Sequence, residues 1–524
     1  MREFNTTGLC VPEMHYMVDV SSRVAQTRAM VERGDYFCVN RARQYGKTTL
    51  LAALERALAG SYEVAGLSFQ KLGSADFSTE GMFVRGFSGI LLEEVVNGRL
   101  SMPPAIEVRL EAFTEADPRL LTLSTLFRVI SRWLRESERP VVLVIDEVDS
   151  ATNNQVFLDL LAQLRQQYLD RGKNSSIPAF QSVVLAGVTD VKHLKAKIRP
   201  EEASKTNSPW NIAADFKVRM TFDGADVAGM LEEYERDHAT GMDVDAVTRE
   251  IVDWTGGYPF LVSRVCQLID EDGLPWTREG VNRAVRRLLE DDDVSLFDSL
   301  TGKLEDHPTL KEQLRALLMR GEEVFFSPYN ETQKLLMMYG FVASRGGRVA
   351  IANRVFEMLL YDYYLVEEQG RAMKDAGALG KSRFVRDGRL DMCAVLEGFR
   401  RTYTEVFGSP EEGERRLEED CRKQFLLYLK PIINGTGNYY IEAQTRDQTR
   451  TDVVVDYLGE QFVVELKVWR GRSRHEEGEE QLRGYLEHFG LDVGYMLSFN
   501  FNKHKEQGLR RVAVGDKLLW EETV

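Results

Sequence analysis

Short apolar runs, each closed by a polar or glycine-bearing turn, divide this chain into strands and helices. Tyr36-Phe-Cys-Val is a strand-length apolar run that passes through a polar turn into an apolar helix carrying Leu50, Leu51 and Leu54. Pro140 is followed by five apolar residues, Val141 to Ile145, and then by Asp146, Glu147 and Asp149. An uninterrupted apolar run of this kind predicts a parallel strand covered on both faces, with its carboxylates at the C-terminal edge where α/β sheets bind ligands. Residues 181–190 repeat the form, a buried strand ending in Thr189 and Asp190. Farther on, residues 314–319 and 332–340 predict helices, and residues 341–351 predict a hairpin turning at Arg-Gly-Gly. Residues 366–410, rich in Arg, Gly, Asp and Glu, read as a linker with one or two helices, including 390–407. Near the end the pattern becomes Asp452-Val-Val-Val-Asp456, a turn at Leu458-Gly459-Glu460, and then Phe462-Val-Val-Glu465-Leu466-Lys467. Period-two alternation sends Glu465 and Lys467 to one face and Val464 and Leu466 to the other.

Composition narrows the class. The chain has 524 residues, 43% hydrophobic and 28% charged, which predicts about three domains with ordinary cores. Its five cysteines, Cys10, Cys38, Cys266, Cys393 and Cys421, are far apart with no CxxC pair, so a disulfide framework and a zinc module are both disfavoured. With no apolar signal-peptide core at the start and no membrane-length apolar run, the expected location is cytoplasmic, with no membrane partner. The net charge of −15 argues against a protein that coats nucleic acid, because phosphate contacts supply most of that affinity. It leaves room for a local basic strip, for which Arg470, Arg472, Arg474, His475, Lys503, Lys505, Arg510 and Arg511 are the candidates beside a reading as solvated loop charges.

Gln44-Tyr45-Gly46-Lys47-Thr48-Thr49 stands between the first strand and its helix, where a P-loop carries GK[ST]. Phosphate binding needs backbone N–H groups at a helix N-terminus, a lysine on the β- and γ-phosphates and a hydroxyl on magnesium, roles that Lys47 and Thr48 fit. Arg41 stands where GxxxxGK[ST] has its first glycine. The form Arg41-x-Arg43-Gln-Tyr-Gly-Lys-Thr48 resembles the variant loops of AAA-like and STAND-type ATPases, and residues 141–147 resemble a Walker B strand. That resemblance implies ATP as cofactor, Asp146 holding magnesium through water and Glu147 polarising the attacking water. It also implies a sensor at Thr189 or Asp190 and a lid whose Thr255-Gly-Gly-Tyr-Pro259 resembles the GxP element. A glycine helix stop before a proline explains that last segment equally well. Asn207-Ser-Pro-Trp-Asn-Ile212 resembles a segment recurring in AAA-like proteins. Arg199 is placed for an arginine finger toward a neighbouring subunit or is part of a solvated basic helix face, and a homo-oligomer through the ATPase domain follows from the first reading.

Two carboxylates across a hairpin repel unless a cation lies between them, and hard oxygens suit a divalent metal. Asp452, Glu465 and Lys467 resemble the D…ExK core of the PD-(D/E)XK nuclease superfamily. The resemblance implies Asp452 and Glu465 as metal ligands, for magnesium or manganese, and Lys467 as the catalytic cation. Gln481 and Tyr485, four apart and so on one helix face, resemble the QxxxY helix of the RecB-like branch. A further acidic residue is expected on the preceding helix, at Glu418 or Glu419.

The expected fold class is α/β. It combines a P-loop ATPase with a parallel sheet (1–225), a helical lid (226–300), a winged-helix-like region (301–365), a helical linker (366–410) and a restriction-endonuclease-like domain (411–524). The expected function is an ATP-regulated, metal-dependent nuclease acting on nucleic acid, DNA before RNA, in phage or mobile-element defence. A nucleotide-gated, non-catalytic binding or signalling scaffold and a ribonuclease toxin are the alternatives.

Overall fold

The computed structural model describes residues 2–152, 154–188, 210–290, 295–319, 324–360, 363–364, 384–386, 389–407, 418–433, 437–441, 453–457, 460–469, 472–500 and 507–524. The chain divides into two units, one of Met1–Ala284 with Leu335–Gly340, the other of Val285–Lys334 with Phe341–Val524.

In the first unit, β1 (Tyr36–Asn40), β2 (Glu63–Ser68), β3 (Val141–Asp146) and β4 (Ser182–Gly187) form a parallel sheet in the order β1-β4-β3-β2. An isolated parallel bridge from Phe37 to Ala214 extends it beyond β1. Both faces are covered. Val141, Leu143 and Ile145 of β3 enter a core with Phe127, Trp133 and Phe157, while Val142 and Val144 enter a second core with Met30, Leu51 and Leu54. Continuous apolar runs therefore become strands here because both alternating faces find apolar partners.

The helices of this layer are α1 (Ser21–Glu32), α2 (Lys47–Leu58), α3 (Glu80–Val96), α4 (Pro104–Glu115), α5 (Leu123–Glu136) and α6 (Gln155–Lys173). Helices α7 (Gly224–His238), α8 (Val244–Thr255) and α9 (Pro259–Glu271) follow, and α10 (Arg278–Glu290) runs across the boundary between units.

The second unit opens with α11 (Ser295–Asp306) and α12 (Pro308–Met319). A three-stranded antiparallel sheet follows, β5 (Val324–Phe325), β6 (Val342–Arg345) and β7 (Arg348–Ile351) in the order β5-β7-β6, with α13 (Glu331–Met338) between β5 and β6. The predicted hairpin at Arg-Gly-Gly is present.

Its C-terminal part is a mixed sheet of β8 (Gly437–Ile441), β9 (Val453–Tyr457), β10 (Glu460–Val468), β11 (Val493–Phe499), β12 (Gly508–Val514) and β13 (Lys517–Thr523), in the order β8-β9-β10-β11-β13-β12. Strands β10, β11 and β13 are mutually parallel, and β8, β9 and β12 are antiparallel to their neighbours. Helices α14 (Met392–Phe407), α15 (Glu418–Ile433) and α16 (Arg472–Phe489) accompany it. Phe425, Leu429, Leu466, Leu482, Leu486 and Leu497 are buried among them.

Candidate phosphate-binding and nuclease sites

Gly46 caps α2 with φ of 76°, a left-handed conformation that costs a residue with a Cβ. The turn from β1 to α2 needs it there, and Lys47 then starts the helix. The Lys47 ammonium is buried, donating to the carbonyls of Arg41 at 3.0 Å and Ala42 at 2.9 Å. Desolvation lowers its pKa, with Glu147, Asp149 and Asp146 opposing that shift by their charge. Thr48 donates its hydroxyl to Asp146 Oδ2 at 2.9 Å, so helix start and strand end meet. Asp146 Oδ1 accepts the Glu147 amide at 2.8 Å, and Asp149 Oδ2 accepts the Val188 amide at 2.7 Å at the end of β4. A hydroxyl beside a carboxylate is a hard-oxygen pair that suits magnesium.

Among the described residues, three non-glycine positions have φ near +50°, Gln44, Glu147 and Ala239, and the first two belong to this site. Such strain persists where its surroundings over-determine it, a circumstance concentrated at ligand clamps. The Glu147 side chain reaches solvent, yet surrounding protein desolvates it and Asp146 repels it, and together they raise its pKa. Thr49 turns away and accepts the Cys10 amide at 3.2 Å.

The partners that Arg41, Tyr258 and Gly257 find here have no local sequence signal. Arg41, in place of the loop's first glycine, reaches the Val218 carbonyl at 3.1 Å and stacks its guanidinium 5.4 Å from the Phe216 ring, so it ties the loop to the chain beyond β4. Tyr258, just ahead of Pro259 at the start of α9, donates to the Arg43 carbonyl at 2.5 Å and packs edge-on against Tyr45 at 4.6 Å. Gly257 takes φ of 71°, and a Cβ there would lie 1.9 Å from the Phe222 carbonyl oxygen. The Gly-Gly-Tyr-Pro segment thus both stops α8 and touches the phosphate loop.

In the second unit, β9 and β10 form the expected hairpin, with Val453 opposite Val464. Asp452, the residue before Val453, lies outside the described residues. Glu465 is fully buried, and Lys467 Nζ lies 2.8 Å from its Oε1. Period two in β10 produces this pair directly. Gln481 on α16 accepts from Lys467 Nζ at 3.3 Å and donates to the Tyr485 hydroxyl at 3.0 Å, so the four residues form one chain of contacts. Asp456 on β9, opposite Gln461 and so on the sheet face of Glu465, is paired at 2.6 Å with Arg286 of α10.

Glu418 and Glu419 begin α15, whose side chains at those positions are not described; the same holds for Arg472, Arg474 and His475 at the start of α16. Thr189, Asp190, Lys195, Lys197, Arg199, Asn207, Arg470, Lys503 and Lys505 lie outside the described residues, where Trp210 and Ile212 of the AAA-like segment do not. Arg510 pairs with Glu521 at 2.5 Å. Among the described residues no cluster of three or more His, Cys, Asp or Glu side chains could hold a metal ion. Glu465, a buried carboxylate beside an ammonium, is the one described metal-ligand candidate in this domain. No described helix is long and apolar enough to cross a membrane.

Residues 14–366 match the family described as AAA-like domain, and residues 438–512 match the PD-(D/E)XK nuclease superfamily. A curated WD repeat-containing protein of Synechocystis sp., itself uncharacterized, is 22% identical over 369 residues, which are 65% of this chain. The chain spans 28% of the length of that relative. A Walker-type ATPase of Pyrococcus abyssi is 16% identical, with a TM-score of 0.48 over 68% of this chain and 99% of its own. The RuvB Holliday junction branch migration motor of Thermotoga maritima is 17% identical, with a TM-score of 0.30 over 64% of this chain and 92% of its own.

Proposed function

The chain belongs to the AAA-like domain family and carries a PD-(D/E)XK nuclease domain behind it, and from that premise we propose an ATP-regulated, divalent-metal-dependent nuclease that cuts nucleic acid, DNA foremost. The observation that carries this reading is the linked set Glu465–Lys467–Gln481–Tyr485. A structural ion pair on an exposed strand would have no use for a full desolvation of Glu465, which is costly unless the carboxylate is compensated.

Lys467 stands beside Glu465 with its ammonium aimed along one strand face, where it stabilises negative charge building on a scissile phosphate. Gln481 holds that ammonium through its amide oxygen, and Tyr485 fixes which way the amide points. Asp452 and Glu465, with Glu418 or Glu419 as a further ligand, would hold a divalent cation, which would supply polarisation of the phosphate and a lowered pKa for attacking water.

In the first unit, Gln44 to Thr49 form the nucleotide cradle. Lys47 serves the β- and γ-phosphates, Thr48 and Asp146 hold magnesium, Glu147 orients water, and Pro259 positions the lid turn. ATP acts on assembly or conformation, since cutting belongs to a separate domain. We place the domain boundaries at 225, 300, 365 and 410, the protein in the cytoplasm, and its use in defence against phage or mobile elements.

The test is purified protein with magnesium or manganese, given linear, circular and single-stranded DNA and RNA, with and without ATP. Metal-dependent cutting that is lost in Lys467→Ala and loses its ATP response in Lys47→Ala supports the reading. Cutting that survives Lys467→Ala overturns the site.

A further inference from the structure

A cavity of about 420 Å³ lies in the first unit, where α7 and α9 both end. Tyr234, Gly241, Met242, Asp270, Leu274 and Trp276 are among its walls. That volume is in the range that small molecules occupy, about 300–1,000 Å³. The walls are held in place. Glu235 of α7 accepts the Thr240 amide at 3.0 Å and the Gly241 amide at 2.7 Å, and the Leu274 amide donates to the Ile269 carbonyl at 2.9 Å. Trp276 is buried, its ring 4.7 Å from that of Tyr234 and 6.0 Å from that of Phe4.

Among the described residues of the lining, Asp270 is the one charged side chain. It is exposed, and it stands in the last turn of α9, which holds no basic residue. The carbonyl end of a helix is the negative end of its dipole, so a carboxylate there is unfavourable and a cation is drawn to it. One carboxyl oxygen of Asp270 accepts the Tyr234 hydroxyl. Burial first, and that bond second, raise the Tyr234 pKa, so the phenol stays a donor. Among the described residues no lysine, arginine or histidine forms a salt bridge with Asp270, whereas Glu271 beside it has Arg264 at 3.7 Å. Thr277, at the head of α10, accepts the Gly280 amide at 3.3 Å, which takes up part of the positive end of that helix.

A carboxylate in an unfavourable field beside an aromatic wall is stabilised by a positive charge that carries an apolar body. The oxygen meets the charge, and the indole and thioether meet the stem.

We propose that this cavity binds a small organic cation, a protonated amine or guanidine on a short apolar stem, with its charge on Asp270 and its stem against Met242 and Trp276. The site lies at the opposite end of α9 from Tyr258 and adds a ligand to those named above.

The test is calorimetric titration of the full chain with agmatine, putrescine and choline at constant ionic strength. At least one binds saturably. Asp270→Asn weakens it by at least about tenfold and Trp276→Phe by about threefold, while Glu271→Gln leaves it unchanged. Asparagine still accepts the Tyr234 hydroxyl, so the Asp270→Asn protein keeps the fold, with an unfolding midpoint no lower than wild type. Saturable binding by none of the three cations overturns the proposal, as does binding that Asp270→Asn leaves intact. Equal losses in Asp270→Asn and Glu271→Gln also overturn it, because they mean diffuse attraction to an acidic helix end. Nα-acetylarginine amide, which presents a guanidinium as a peptide does, binds more weakly than agmatine; tighter binding would assign the cavity to a partner's side chain and remove the free ligand. Neither nucleotide nor nucleic acid enters the test, so its result stands apart from the function proposed above.

Discussion

The Tyr258 hydroxyl donates to the main-chain carbonyl of Arg43, joining the turn ahead of α9 to the phosphate loop. A residue of that turn therefore bears on the loop through a single hydrogen bond. Tyr258→Phe removes about 1 kcal/mol of that coupling and should weaken nucleotide affinity several-fold, with Tyr258→Ala weaker still because the edge contact with Tyr45 goes too. Titration with a fluorescent ATP analogue measures both.

Glu147 and Lys47 should separate binding from turnover. Lys47→Ala loses nucleotide binding by at least about tenfold, whereas Glu147→Gln keeps binding and slows hydrolysis by about a hundredfold or more. Equilibrium titration beside phosphate release distinguishes them. Equal loss of binding in both variants would contradict this division of roles.

Glu465 predicts a metal-dependent stability. Magnesium or manganese at a hundredfold excess over its dissociation constant stabilises the native protein by about 2.7 kcal/mol, seen as a rise in the unfolding midpoint. Glu465→Gln should abolish the part of that rise that survives in a Thr48→Ala background, where the other metal site is weakened. An unaltered rise would deny Glu465 its place as a ligand.

Glu55 gives a pH dependence. It lies on α2 against Gly66 of β2, where a Cβ would come within 2.5 Å of its carboxyl oxygen. Desolvation first, then the charges of Glu94 and Asp146, raise its pKa to about 7 from 4.5, with Arg99 pulling the other way. Between those values the native state binds more protons than the unfolded one, so this group's contribution is full below pH 4.5 and is lost as pH rises through about 7. Glu55→Gln should therefore stabilise the protein at pH 8 by about 1–3 kcal/mol and make little difference at low pH. Thermal unfolding across pH tests the sign.

Gly257→Ala should destabilise the first unit by about 3 kcal/mol or more. The alanine methyl would meet the Phe222 carbonyl, and its φ lies in the left-handed region. A urea midpoint close to wild type would show that α8 and α9 tolerate a rearranged turn.

Strand runs and turn chemistry carried most of the fold. Val141 to Asp146 was legible because a strand buried on both faces has no other way to look, and Glu465 with Lys467 because strands alternate. Gln481 and Tyr485 were legible from helical spacing. What stayed hidden depends on side chains brought together from far apart: Arg41 on Phe216, Tyr258 on Arg43, Glu55 over Gly66, and Arg286 on Asp456. None of these has a periodicity, so local pattern is silent on them. The hairpin at Arg-Gly-Gly was plain, but the opposition of Arg345 and Arg348 appears only once the register is known.

The position of the Lys47 ammonium has a kinetic meaning. On the proposed reading of Lys47, a cation already fastened to two carbonyl oxygens need not search for its place when triphosphate arrives; it would exchange one set of oxygens for another within the same small volume. Recognition then depends less on ordering a long side chain and more on how readily the 41–42 peptide oxygens release it. A chain whose loop begins with an anchored arginine in place of a glycine has made that release a property of its backbone.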